Sequence, residues 1–299
     1  MARKRILITG TTGLLGQALV KSLTGKHQVL ATGKQPQYPG NEVVDYQALD
    51  IANAEACKRI TQEFAPDVIV NSAAFTHVDK CESERDACWQ VNVKGVENLA
   101  RAARRNMAQL VQLSTDYIFD GANGPYGEED SPRPLGYYGK SKLAAENAVR
   151  AVGIPYAIVR TNVIFGAGEK VKNNFFLWLF KSLKAGQDIN VVTDQWNNPI
   201  DALDLAMGIA GMINQKRYGV YHLGGADYLN RFQFAEAVAD VFGFSKELIH
   251  PITTDALKQP APRPLRGGLK IDKAKSDFGF NPRSLREVLT FYKEMAIVE

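Results

Sequence analysis

Tyr138 and Lys142 lie four residues apart in the stretch Tyr-Gly-Lys-Ser-Lys. On a helix that spacing puts a phenol and an ammonium on one face, one turn apart. A free phenol titrates near about pH 10, and a neighbouring ammonium is expected to lower that value by stabilising the phenolate. Such a pair can give a proton to a developing alkoxide or take one from an alcohol. The chain has 11 tyrosines, so the spacing alone is weak evidence; Tyr137 finds only Ser141 at the same distance, which favours Tyr138. Upstream, Ser114, Thr115 and Asp116 follow the run Gln109–Leu113. If that strand persists, Ser114 and Thr115 point to opposite sides, so one hydroxyl faces the reacting carbonyl; the alternative is that both merely cap the strand end.

A second constellation opens the chain. Gly10, Gly13 and Gly16 stand directly behind Arg-Ile-Leu-Ile-Thr (residues 5–9) and ahead of Leu15, Leu19 and Leu23 at helical spacing. Side chains in that turn would hold the backbone away from a diphosphate at the positive helix end. Three glycines alone mean little; a strand before and a helix after make a dinucleotide site the expectation. Such sites often carry an acidic residue about 20 positions on, for the adenosine ribose. Here the stretch is Ala31-Thr32-Gly33-Lys34, with no carboxylate. Lys34 would attract the 2′-phosphate of NADP, so NADP(H) is expected ahead of NAD(H); an ordinary loop lysine there would leave NAD(H) open. Asp50 and Ile51 are placed to meet adenine, unless Asp50 serves as a helix N-cap. Ala73 and Ala74, in Asn-Ser-Ala-Ala, are small enough to let a cofactor pass the sheet edge, or simply pack closely.

The elements that must hold these groups alternate. Residues 4–9, 28–32, 43–46, 67–71, 109–113 and 156–160 read as strands, and 13–24, 53–64, 84–105 and 136–151 as helices. Strands without polar alternation are buried on both faces, which predicts an α/β fold: a Rossmann-type, doubly wound parallel sheet with ligands at the strands' carboxyl ends. Beyond about residue 165 the pattern is mixed. Helices are expected over 173–185, 201–214, 231–242 and 284–296, a strand over 218–223, and a loop over the proline- and glycine-rich 251–268. We therefore divide the chain into a cofactor-binding part, 1–165, which also carries the Thr/Tyr/Lys set, and a smaller mixed α/β substrate region, 166–299, interleaved with it in space.

Composition excludes several classes. The 299 residues, 45% hydrophobic, can bury a sizeable core. Net charge is +4, and the densest cations, Arg101, Arg104 and Arg105, suit a solvated helix end; no basic stripe with aromatics suggests nucleic acid. No apolar run approaches the roughly 20 residues of a membrane span, and Gly10 cuts Ile6–Thr9 too short for a secretory signal, so a cytoplasmic location is expected. Cys57, Cys81 and Cys88 show no paired spacing and read as reduced thiols. The acidic run Glu128, Glu129, Asp130 reads as solvated, and no metal site is expected.

Five motifs together resemble the extended short-chain dehydrogenase/reductase superfamily: Gly-Thr-Thr-Gly-Leu-Leu-Gly (10–16), Asn-Ser-Ala-Ala (71–74), Ser-Thr-Asp-Tyr-Ile-Phe-Asp-Gly (114–121), Tyr-Gly-Lys-Ser-Lys-Leu-Ala-Ala-Glu (138–146) and Arg-Thr-Asn-Val-Ile-Phe-Gly (160–166). The third and fourth are most similar to the dTDP-4-dehydrorhamnose reductases within it, as are Asp194-Gln195 with Pro199, and Arg263-Pro264 ahead of Leu269. The resemblance implies hydride delivery from NADPH to C4 of a nucleotide-linked 4-keto-6-deoxy sugar. Tyr138 would be the proton donor and Lys142 its partner, also holding the nicotinamide ribose; Thr115 would hold the keto oxygen, with Asp116 beside it. Gly13, Leu14 and Leu15 would line the diphosphate, Asp50 and Ile51 the adenine, Ala73 and Ala74 the middle of the cofactor. The chain departs from the pattern at Asn162-Val163-Ile164, where an aromatic often packs on the sugar, and at Trp196-Asn197-Asn198, where a small residue and Pro-Thr are usual. Both changes touch substrate recognition, with Asn162 facing the sugar. Cations for the substrate diphosphate would be Arg263 and Arg266, with Lys170 and Lys172 more simply solvated, and Trp196 could stack on a base or sugar or sit in a core or an interface. The scaffold also carries epimerases and dehydratases, and non-catalytic NADP-binding regulatory subunits, which are the alternatives; a homodimer is expected by analogy.

Overall fold

The computed structural model describes residues 2–171 and 174–298. The first half runs β1 (Arg5–Thr9), α1 (Leu14–Leu23), β2 (Gln28–Gly33), β3 (Asp45–Ala48), α2 (Ala54–Phe64), β4 (Val68–Asn71), α3 (Val78–Ser83), α4 (Arg85–Trp89), α5 (Gly95–Asn106), β5 (Gln109–Thr115), α6 (Tyr137–Ala151), β6 (Tyr156–Thr161). After it come β7 (Ile164–Phe165), α7 (Phe175–Lys184), β8 (Ile189–Val192), β9 (Trp196–Asn197), β10 (Ile200–Asp201), α8 (Ala202–Asn214), β11 (Gly219–His222), β12 (Leu229–Asn230), α9 (Arg231–Phe242), β13 (Ile249–Ile252), α10 (Asp272–Phe278) and α11 (Leu285–Glu294).

Seven strands form one parallel sheet in the order β11-β6-β5-β4-β1-β2-β3. Its central strands are buried almost throughout and mostly apolar because both faces are covered. In β1, Ile6 and Ile8 enter a core shared with α1 and α8, while Leu7, pointing the other way, enters one shared with α2, α5 and α6. A third core joins α7, α9 and α11 to the β8–β13 pair. The α/β fold with a doubly wound parallel sheet is as expected from the alternation.

The strand over 218–223, read as part of the smaller region, is β11 and completes the central sheet beside β6. Helix α8 likewise lies against α1 and covers that sheet. The third strand falls two residues later than expected: Val43 is 97% exposed, because this edge strand buries little and its apolar residues do not mark it. The single long helix expected over 84–105 begins at Val78, breaks at Glu84, and contains a π-helical turn at Gln90–Lys94. In that turn Asn92 turns its amide onto the Phe75 backbone, accepting from its N–H at 2.8 Å and donating to its carbonyl at 3.1 Å. Asn53, not Asp50, caps α2 by accepting from the Ala56 N–H. The stretch 251–268 is less of a loop than its prolines suggest, since β13 reaches Ile252 and a 3₁₀ turn covers Thr254–Leu257.

Candidate active site

The strand order reverses between β1 and β4, and the crevice outside such a switch point is where this architecture takes ligands. A cavity of about 700 Å³ opens there, running from Lys34 and Ile51 past the glycine turn to Thr115, Tyr138, Lys142, Asn162 and Asn174. Of the residues expected at the cofactor, Gly10, Gly13, Leu14, Leu15, Gly16, Lys34, Ile51, Ala73, Ala74, Tyr138 and Lys142 all line it. Asp50 does not line it but joins it through Lys34, whose ammonium lies 3.0 Å from the Asp50 carboxylate.

The three glycines have separate jobs. Gly10 has a left-handed φ of +71°, and a Cβ there would lie 2.6 Å from the Ala73 nitrogen, so the turn closes against the end of β4 only without a side chain. A Cβ on Gly16 would collide with the Gly10 carbonyl and with Thr11, so the helix seats tightly on the strand. At Gly13, which lines the cavity, an added Cβ would meet nothing closer than the Gly10 carbonyl at 3.4 Å. The crowding at 10 and 16 with open space at 13 fits a dinucleotide diphosphate at the N-terminus of α1.

At the far end of the cavity the hydroxyls divide as strand geometry requires. Ser114 turns away and donates to Glu146 at 2.6 Å. Thr115 turns inward, accepts from the Tyr117 N–H at 3.2 Å, and stands close enough to the Tyr138 phenol to hydrogen-bond it. Tyr138 and Lys142 project from the first turns of α6. Glycine is required between them: a Cβ on Gly139 would strike the Tyr117 carbonyl, so the helix lies flush on the turn that follows β5.

The electrostatics of the pair differ from the expectation. Burial pushes the Tyr138 phenol well above its ordinary value, and the Thr115 hydroxyl only partly offsets this. The Lys142 ammonium is 3% exposed, and burial lowers it to about 8 although Glu146 and Cys88 act to raise it. It donates to the Leu113 carbonyl at 2.7 Å. The phenol is thus a neutral donor at neutral pH, not a group poised to ionise. That suits reduction, because an alkoxide is a far stronger base than a phenolate and takes the proton downhill.

The substrate side is more dispersed. Asn162 lines the cavity, its amide tied to Asn198 at 2.5 Å. Asp116 is buried behind Thr115, and burial raises its carboxyl to about 6 despite the Gly268 N–H and the Arg231 charge. Arg263 does not line the cavity: its guanidinium pairs with Asp79 at 2.8 Å and donates to the Ala261 carbonyl, clamping the proline-rich segment to α3. Trp196 stacks on Tyr228, ring centroids 5.8 Å apart. Lys170 is exposed, and Lys172 lies outside the described residues. The sequence reading passed over Asn92, which fixes the Ala73–Phe75 wall, and Arg231 at the start of α9. Arg231 carried one signal: a cation in the first turn of a helix, where the dipole disfavours it.

Among the described residues no group of three or more His, Cys, Asp or Glu side chains could hold a metal, and no helix is long and apolar enough to cross a membrane. The three cysteines are buried and unpaired as disulfides.

Residues 4–296 match the family model described as the RmlD substrate binding domain. The chain is 35% identical to the dTDP-4-dehydrorhamnose reductase of Aggregatibacter actinomycetemcomitans, over 95% of this chain and 97% of that protein. It is 32% identical to the methionine adenosyltransferase 2 subunit beta of Rattus norvegicus, over 91% of this chain and 82% of that one. The crystal structure of a dTDP-4-dehydrorhamnose reductase from Bacillus anthracis in complex with NADP superposes with a TM-score of 0.89 at 30% identity, covering 98% of this chain and 100% of that chain.

Proposed function

The chain belongs to the RmlD substrate-binding-domain family, and from that premise we propose that it is an NADP(H)-dependent reductase of a nucleotide-linked 4-keto-6-deoxy sugar, of the dTDP-4-dehydrorhamnose reductase kind. The observation that carries the reading is the meeting of Thr115, Tyr138 and Lys142 at one end of a cavity whose other end is a glycine-turned dinucleotide cradle. Bound in that cradle, the reduced nicotinamide supplies the hydride. The glycine turn and the N-terminus of α1 hold the diphosphate, and Ala73, Ala74 and the Asn92-clamped wall leave room for the middle of the cofactor. Lys34, now paired with Asp50 at 3.0 Å, would be the residue to hold the 2′-phosphate.

Thr115 donates to the keto oxygen and orients it toward the Tyr138 hydroxyl. As negative charge builds on that oxygen, the phenol gives up its proton, and the Lys142 ammonium, held by the Leu113 carbonyl, stabilises the phenolate left behind. The half of the chain beyond residue 165 contributes to the substrate side through Asn174, which, with Asn162 just past β6, would meet the sugar. The complete Tyr/Lys pair with an inward hydroxyl argues for turnover over a purely regulatory role.

Consumption of NADPH, followed by its absorbance on adding dTDP-4-dehydro-6-deoxysugar, tests the reading. Net oxidation is expected, whereas an epimerase on this scaffold would show none. Tyr138→Phe should cut kcat by about 10²–10⁴-fold while NADPH still binds. Turnover equal to that of the parent chain would remove Tyr138 from the chemistry.

A further inference from the structure

We propose that Arg231 binds the diphosphate of the nucleotide-sugar substrate and is the main source of the chain's selectivity for an anionic sugar donor, an assignment that rests on the function proposed above. Arg263 and Arg266 were the expected ligands for that diphosphate, but the Arg263 guanidinium is already satisfied by Asp79 and the Ala261 carbonyl, and Arg266 is exposed and does not line the cavity. Arg231 is the opposite case. Its backbone N–H reaches the Gln195 carbonyl, yet among the described residues its guanidinium makes no hydrogen bond or ion pair, and Nη1 is fully buried without a partner.

Three features make this arrangement unfavourable without a ligand. A partly buried guanidinium whose Nη1 is shut from water without a hydrogen-bonded partner is costly. Arg231 is the first residue of α9, a 12-residue helix with no acid in its first turn, so its cation sits at the positive end of the dipole. Arg263 adds a like charge nearby; burial and that repulsion lower the Arg231 pKa, against the pull of Tyr117 and Asp116. A diphosphate relieves all three at once, and a guanidinium suits its oxygens.

Placement agrees with the chemistry. The guanidinium stacks on the Phe175 ring at 4.6 Å, which holds it rigid. Phe175 directly follows Asn174 of the cavity wall, and Asp116 and Tyr117, whose charges it feels, directly follow Thr115. Arg231, like Arg263, does not itself line the cavity, but these neighbours tie it to the cavity wall, and the proposed anion site would adjoin the reacting hydroxyls, as a sugar held between its C1 phosphate and its C4 carbonyl requires.

Calorimetric titration of the full chain with dTDP, UDP, GDP and thymidine, for wild type, Arg231→Gln and Arg231→Lys, tests the assignment. Whichever nucleoside diphosphate binds wild type best should bind R231Q about 10- to 100-fold more weakly, with R231K between them. Thymidine and NADPH affinities should be unchanged, and KM for the nucleotide sugar should rise with kcat nearly constant. Diphosphate affinity equal in wild type and R231Q overturns the assignment. So does a shifted pH profile with unchanged KM, which would make Arg231 a modulator of Asp116. If R231Q does not fold, R231K alone decides, and it must weaken the diphosphate several-fold. Wild type that binds a nucleoside diphosphate but does not oxidise NADPH with the 4-keto sugar would sink the proposed reaction and leave the Arg231 assignment standing.

Discussion

The ammonium of Lys142 is anchored to the carbonyl of Leu113 at 2.7 Å, so this cation is positioned by the end of β5 and not by the phenol one turn before it. The carbonyl lies two residues from Thr115 on the same strand. One strand end thus places both the Thr115 hydroxyl and the Lys142 charge, the proposed substrate contact and phenolate stabiliser, and α6 only has to deliver Tyr138 between them.

This anchoring sets a pH limit. Burial lowers Lys142 to about 8, so the ammonium is present at neutral pH and lost as the pH rises through that value. The kcat/KM for the keto sugar should fall above about pH 8, while Tyr138, its pKa raised by burial, stays protonated across the same range. A pH–rate profile in the reductive direction checks this, and a flat profile to pH 10 would contradict it.

Behind the site, Glu146 joins the catalytic helix to the sheet. Its carboxylate accepts from Ser114, from Arg160 through two nitrogens at 2.9 Å each, and from Arg150. Burial works to raise its pKa, but the Arg160 contacts prevail and hold it low. Glu146→Gln leaves Arg160, 2% exposed, without its counter-charge. A stability loss of about 3–5 kcal/mol in urea unfolding is expected, the usual cost of breaking a buried pair. A loss below about 1 kcal/mol would mean that the Glu128 carbonyl and His222 already satisfy Arg160.

How much of this was legible in the sequence follows from the range of the interactions. The glycine turn, the apolar strands and the Tyr138–Lys142 spacing are local patterns, and the structure places them as expected. That Ser114 and Thr115 point to opposite sides also followed from strand alternation, whereas the choice of Thr115 as the inward one came from the family resemblance. What failed was non-local. The phenol's pKa depends on its burial, not on its helical neighbour; Arg263 is claimed by Asp79, 184 residues away along the chain. Edge strand β3 lies two residues beyond its expected place and the π-helical turn carries no signal, because neither follows apolar periodicity; the turn is held by Asn92 against Phe75.

On the proposed reading, cofactor preference turns on Lys34. Its partner Asp50 is 3.0 Å away, and the two side chains are 57% and 43% exposed, so the pair contributes little and is readily exchanged. Lys34→Ala should lower kcat/KM for NADPH by about 10- to 100-fold, the worth of a hydrogen bond to a charged group, and leave NADH nearly unaffected. Asp50→Asn should act in the opposite direction by freeing the lysine. Initial rates with both cofactors decide it; equal losses for NADPH and NADH would place Lys34 away from the 2′-phosphate.

Asp116 ties the active site to global stability. It is 2% exposed, and burial raises its carboxyl to about 6, against roughly 3.9 in an unfolded chain. Between those values the folded state binds more protons than the unfolded one, so stability must fall as pH rises through the window and level off above it. The shift corresponds to roughly 3 kcal/mol of destabilisation at pH 7. Asparagine cannot ionise and can still accept from the Gly268 N–H, so Asp116→Asn should be the more stable protein at pH 7 and lose that advantage near pH 4. Thermal melts of both proteins from pH 4 to pH 8 check the difference. A gap that stays constant across the range would show that the carboxyl is not titrating there, and that the charge of Arg231 keeps it ionised throughout.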